Sequence, residues 1–169
     1  MVVYRKLKQG ESQRLWDLMN QLDDETRYMM YEPGERKEKT SDPERLEGVI
    51  EDALDDSSFF LVAEDNDKLV GYISAQRERL KRVAHTAYIV VGILKKYTNQ
   101  GIGTAFFQYL DAWAQEQKVN RLELTVVCEN EAAVHLYKKA GFEIEGTKRM
   151  SFRLNGKFLD EYYMAKLIE

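Results

Sequence analysis

Two glycines spaced by one residue, in Tyr97-Thr98-Asn99-Gln100-Gly101-Ile102-Gly103-Thr104, stand between an extended apolar segment and a long apolar-periodic one. The chain must therefore pass from a strand through a tight turn into a helix at this point. Glycines leave successive backbone N–H groups unobstructed, and the helix that starts there directs its positive dipole end at the same spot. Loop and helix together read as an anion cradle. The residues at the start of that helix exclude two common cradles. A dinucleotide fingerprint needs a small residue three places after the second glycine, where Phe106 stands. A P-loop needs Gly-Lys-Ser/Thr at its end, and Gly103-Thr104-Ala105 does not supply it.

The 169 residues suit one domain spanning 1–169, with enough length to bury a core without staples. Apolar residues make up 44% and charged residues 32%, with 2 prolines, a globular profile. A net charge of -4 gives no basic footprint, so no nucleic-acid partner is expected. The single cysteine, Cys128, excludes an intramolecular disulfide and a cysteine metal cluster, and reads as a small apolar side chain at a strand end. No apolar run is long enough for a membrane span, and Met1 to Gln9 lacks the apolar core of a signal peptide. The expectation is a cytoplasmic protein without a membrane partner; homodimer formation stays open.

Along the chain, Val2 to Lys8 reads as a first strand and Ser12 to Leu22 as an amphipathic helix carrying Leu15, Leu18, Met19 and Leu22. A polar connection, Asp23 to Thr40, holds the cluster Tyr28-Met29-Met30-Tyr31. Ser41-Asp42-Pro43-Glu44 then starts a helix that runs to about Leu54, with Ser or Asp as cap. Phe59 to Ala63, Leu69 to Ala75 and Ala84 to Leu94 are strand patterns; Glu64 to Lys68 joins the first two as a hairpin. Gly92 interrupts the third and indicates a bulge or a close backbone approach. In the helix after the glycine turn, Phe106, Tyr109, Leu110 and Trp113 form a core stripe. Leu122 to Val127 is a further strand. Asn130 caps a helix that ends at Ala140-Gly141, and Asn155-Gly156 marks a last hairpin between Phe142–Leu154 and Phe158–Ile168. This order implies a mixed α/β sheet.

The block Asn130-Glu131-Ala132-Ala133-Val134-His135-Leu136-Tyr137-Lys138-Lys139-Ala140-Gly141-Phe142 carries an amide and a phenol seven residues apart. They share one helix face about 10.5 Å apart along the axis, room for one extended ligand. The bland alternative is a cap and a packing ring. Taken with Val90 to Ala105, this block resembles the GCN5-related N-acetyltransferase superfamily. The resemblance implies a mixed, centrally splayed sheet flanked by about four helices, with acetyl-CoA as co-substrate and no metal. It implies transfer of the acetyl group to a primary amine by direct attack through a tetrahedral intermediate. Val91 and Ile93 would give backbone contacts to pantetheine, and Asn99, Gln100, Gly101, Ile102, Gly103 and Thr104 would hold the pyrophosphate. Asn130 would contact pantetheine, and Tyr137 would act as general acid beside the thioester sulfur.

The sequence departs from the family pattern at Thr98, where Arg or Gln is usual, and Asn99 and Gln100 offer substitute contacts. It departs again at Thr125, where some members carry a carboxylate base. Glu123, two residues earlier on the same strand face, is the candidate base; a charged residue at a sheet edge is the equal alternative. On the acceptor side, the Asp23 to Thr40 connection and the final hairpin are expected, with Glu32 and Glu35 beside Tyr28, Met30 and Tyr31. His85 and His135 lack metal-ligand spacing. The run Arg77 to Arg82 reads as a solvated strand-end turn. Two rival functions are a non-catalytic acyl-CoA-binding or regulatory module on the same fold, and an ATP-binding regulator, which would lack a lysine at the turn.

Overall fold

The structure, a computed structural model, describes residues 1–39 and 42–169. Strand β1 (Val3–Arg5) is followed by helices α1 (Ser12–Glu25), α2 (Glu35–Lys39) and α3 (Arg45–Leu54). The meander β2 (Phe59–Asp65), β3 (Lys68–Arg77) and β4 (Thr86–Ile93) comes next, then α4 (Ile102–Glu116), β5 (Arg121–Val127), α5 (Glu131–Lys139), β6 (Glu143–Leu154) and β7 (Lys157–Leu167). The strands form one sheet in the order β1-β2-β3-β4-β5-β7-β6.

Local chemistry sets these elements. All of Phe59 to Ala63 is buried, as a strand covered on both faces requires. Tyr72 stacks on Phe60 beneath α1, with ring centroids 5.2 Å apart, whereas Phe59 meets Trp113 of α4 on the opposite face at 5.5 Å. The β2–β3 turn shrinks to Asn66-Asp67, both at positive φ (49° and 63°), and Asn155-Gly156 turns in the same way at 50° and 77°. Such left-handed pairs match the twist of the flanking strands.

Several expectations are corrected. The described residues hold five helices rather than about four, because the polar connection contains the one-turn α2. Helix α3 begins at Arg45 without a side-chain cap; Asp42 instead accepts the Glu44 N–H at 2.8 Å, and Ser41 lies outside the described residues. Tyr109 leaves the core stripe at 48% exposure and packs on Tyr4, while Phe106 and Leu110 are fully buried. Gly92 makes no bulge: the β3–β4 register runs unbroken from Gly71↔Ile93 to Arg77↔Ala87. A Cβ there would stand 2.7 Å from Leu22 Cδ1 and 3.2 Å from Tyr72, so the glycine admits α1 close to the sheet.

Sheet neighbours are antiparallel except β4 and β5, which are parallel and joined by the α4 crossover. Their register covers Thr86↔Arg121, Ala87↔Leu122 and Tyr88↔Glu123, and stops there. Beyond Tyr88 the two strands diverge, and the sheet is split at its centre.

Candidate active site

The split decides which backbone groups are open. The Glu78 N–H donates to Thr86 O, and the Leu94 N–H to Val70 O, so even-numbered residues of β4 face β3. By alternation, Val91 and Ile93 turn their N–H and C=O groups toward β5, where the pairing has ended. A cleft of about 760 Å³ occupies this gap. Its walls include Val91, Ile93, Asn99, Gly101, Ile102, Gly103, Thr104, Asn130 and Tyr137, which the structure therefore brings together.

At one end stands the start of α4. Asn99 (φ 59°) and Gly101 (φ 85°) adopt left-handed backbone, and Gly101 sits at the helix cap with open space where a Cβ would be. Gly103 is needed for a different reason, because its Cβ would stand 2.8 Å from Leu136 Cδ2 of α5. The N–H groups of residues 99–104 find no acceptor among the described residues, the first internal bond being Ala105 N–H to Gly101 O at 3.0 Å. Open donors at a helix N-terminus suit a phosphate oxygen. The side chain of Gln100 is spent on the loop itself, its amide donating to Lys96 O at 3.0 Å, and Thr98 Oγ1 donates to Lys95 O at 2.8 Å.

Helix α5 closes the adjoining wall. Asn130 is its cap: Oδ1 accepts the Ala133 N–H at 3.4 Å. Tyr137 packs edge-on against Phe107 at 5.8 Å and beside Phe142 at 6.1 Å. Burial raises its phenol above the ordinary value, and the phenols of Tyr88 and Tyr72 add to the rise. Tyr137 therefore stays protonated, a hydrogen-bond donor through neutral and moderately alkaline pH. Tyr88 marks the floor of the split, where its hydroxyl shares a 2.8 Å hydrogen bond with Thr125 Oγ1 across to β5.

Glu123 is not brought to the cleft. Its carboxylate accepts from Arg121 Nε at 2.7 Å, and the same guanidinium also holds Glu145. The expected acids of the acceptor side also turn elsewhere: Glu35 accepts the Glu32 N–H at 3.3 Å, and neither borders the cleft. What does border it there is Tyr28, Met29, Met30 and Tyr31 from the connection, Tyr72 from β3, and Phe152 and Glu161 from the last hairpin. Arg36 donates to both carboxylate oxygens of Asp23, at 2.7 and 3.2 Å, and lies 4.4 Å from the Tyr31 ring centroid. That pair fastens α2 to α1. Burial pushes the Tyr72 phenol up to about 12.

Sequence reasoning missed Phe152, Glu161 and the Tyr88–Thr125 bridge. Glu161 carried a signal, as it shares the inward face of β7 with buried Leu159. Among the described residues, no group of three or more His, Cys, Asp or Glu is placed to hold a metal, and no helix is long and apolar enough to cross a membrane.

Comparison with known proteins bears on this geometry. The L-amino acid N-acetyltransferase AaaT of Escherichia coli is 34% identical over 111 residues, covering 63% of this chain and 67% of the relative. The crystal structure of a GNAT-family acetyltransferase from Streptococcus pneumoniae superposes with a TM-score of 0.92 at 30% identity, covering 100% of both chains. A putative acetyltransferase from Salmonella typhimurium, solved with its cofactor acetyl-CoA, shares the fold with a TM-score of 0.84. Its identity is 16%, over 100% of this chain and 95% of that one. The family model described as Acetyltransferase (GNAT) family matches residues 16–142. That span includes the split strand, the glycine turn and the Asn130–Tyr137 helix, and the chain belongs to the GNAT acetyltransferase family.

Proposed function

We propose that residues 1–169 act as one cytoplasmic domain that binds acetyl-CoA in the sheet split and transfers its acetyl group to a primary amine. The observation that carries this reading is the meeting, in one cleft, of an unpaired strand edge with an uncapped helix N-terminus. A pyrophosphate needs the donors of residues 99–104, and an amide-bearing pantetheine arm can add to the edge at Val91 and Ile93 as a strand would. Asn130, with Oδ1 engaged in capping, keeps its amide NH₂ for the same arm.

The chemistry is aminolysis of a thioester. The amine lone pair attacks the carbonyl carbon, the oxyanion is stabilised by a backbone N–H at Ile93, and the C–S bond breaks as sulfur leaves with its electron pair. Tyr137 donates a hydrogen bond to that sulfur and passes it a proton. The dry surroundings that raise the phenol also raise the thiol, which keeps the transfer balanced. Glu123, held on Arg121, has no part in these steps.

The test is thiol release from acetyl-CoA over a panel of primary amines, with calorimetry of acetyl-CoA binding alongside. Turnover that collapses in Tyr137→Phe, with binding retained, supports the reading. Binding without turnover on every amine would instead make the chain an acyl-CoA-binding module.

A further inference from the structure

One carboxylate in the cleft is left without employment by this chemistry. Glu161 lies in mid β7, 9% exposed, opposite Val127 at the C-terminal end of β5 and opposite Lys148 on β6. Its side chain makes no hydrogen bond or ion pair among the described residues. A charged group so deeply placed is costly unless something answers it. Its oxygens are not among the sealed, partnerless polar atoms of the interior, and Glu161 borders the cleft. The missing partner therefore belongs to the cleft.

The surroundings describe that partner. Around the same end lie Tyr28, Met29, Tyr31 and Phe152, polarisable sulfur and aromatic faces that accept both apolar groups and cations. The guanidinium of Arg36, which also borders the cleft, is engaged with Asp23. Resting on the acetyltransferase reading, we propose that Glu161 anchors the acceptor as a primary ammonium carried on an apolar or aromatic body, and takes the proton that frees its lone pair. The step balances. The ammonium gives one proton to the Glu161 carboxylate, and nitrogen forms its bond to the acetyl carbon. The C–S bond breaks, the sulfur takes its proton from Tyr137, and the adduct nitrogen's second proton restores the Tyr137 phenol. Acetyl thioester and ammonium become amide, thiol and one proton, which Glu161 returns to solvent. Thr125, where a carboxylate would stand in some relatives of this fold, is engaged with Tyr88, and the acid comes from the next strand instead.

The test uses the full chain with 2-phenylethylamine, its uncharged analogue 2-phenylethanol, and the variant Glu161→Gln, which keeps the shape and removes the charge. Carbon NMR of the Glu161 carboxyl should move with the amine and not with the alcohol. In the thiol-release assay kcat/KM for the amine should fall about 100-fold or more in Glu161→Gln. KM for acetyl-CoA should be unchanged. The gap should narrow toward pH 10, where the amine sheds its own proton; the titratable groups around Glu161 are Lys148, opposite it on β6, and the Cys128 thiol just past β5, beside uncharged Val127. An unmoved Glu161 signal, or a folded variant within twofold of the parent, overturns the proposal. A signal that moves while the parent chain releases no thiol with any amine refutes the acetyltransfer reading and leaves the ammonium site standing.

Discussion

The two ends of the cleft are built from different materials. At the α4 end the open groups are backbone: N–H donors of residues 99–104 and the bare edge of β4. At the other end they are side chains drawn from α2's approach, β3 and the last hairpin. Backbone is the same whatever the sequence, so the first end presents one chemistry wherever this fold occurs. Side chains vary, and on the proposed reading the acceptor is chosen at the second. Tyr137 stands between them, on a helix in contact with the glycine turn through Gly103 and Leu136.

Substitutions can separate the two ends. The largest effect is expected at the junction: Tyr137→Phe should lower kcat by about 10²–10³, with acetyl-CoA binding and melting temperature nearly unchanged. Next is Gly103→Val, whose branched side chain must displace Leu136. An overpacking cost of about 2 kcal/mol corresponds to a loss of roughly 4–8 °C in Tm, read by calorimetry. Acetyl-CoA affinity should fall with it for every acceptor alike; a change confined to one amine would contradict the division of labour. Phe152→Ala should act in the opposite sense, shifting KM for the amine by roughly 3–10-fold and leaving KM for acetyl-CoA alone.

The smallest effect lies outside the cleft. Hydrogen bonds from Arg5, and from Arg14, hold the Glu11 carboxyl down at about 2, tying β1 to α1. A depressed folded value means that its contribution is complete above the usual carboxylate range and is lost as pH falls from about 4.5 toward 2. Thermal melts of Glu11→Gln should therefore converge on those of the parent chain as pH is lowered through that window. Activity per folded molecule should not differ.

How much of this was legible in the sequence tracks the same division. Gly101, Gly103, Asn130 and Tyr137 sit at fixed spacings within two adjacent strand–helix units, so local pattern located the backbone-built end almost completely. The two-residue turn at Asn155-Gly156 was legible for the same local reason, whereas the β2–β3 hairpin was read as the longer Glu64–Lys68 connection and closes at Asn66-Asp67. The acceptor end was not. Tyr28 and Phe152 are far apart along the chain and meet only through the sheet order, and β7 lies between β5 and β6 by a long-range pairing that no local pattern announces. Glu123 illustrates the limit: its strand face was read correctly, but Arg121 two residues away on that face claims it. Gly92 shows another, since a packing need and a bulge leave the same mark in sequence.

The short parallel seam between β4 and β5 has a mechanical consequence. One ladder, β1 to β4, and another, β5 to β7 with β6, are stitched by three register pairs from Thr86↔Arg121 to Tyr88↔Glu123. A ligand added above that seam as an extra strand would bridge the two ladders. Binding is then linked to folding, and at a hundred times its dissociation constant such a ligand adds about 2.7 kcal/mol to the folded state.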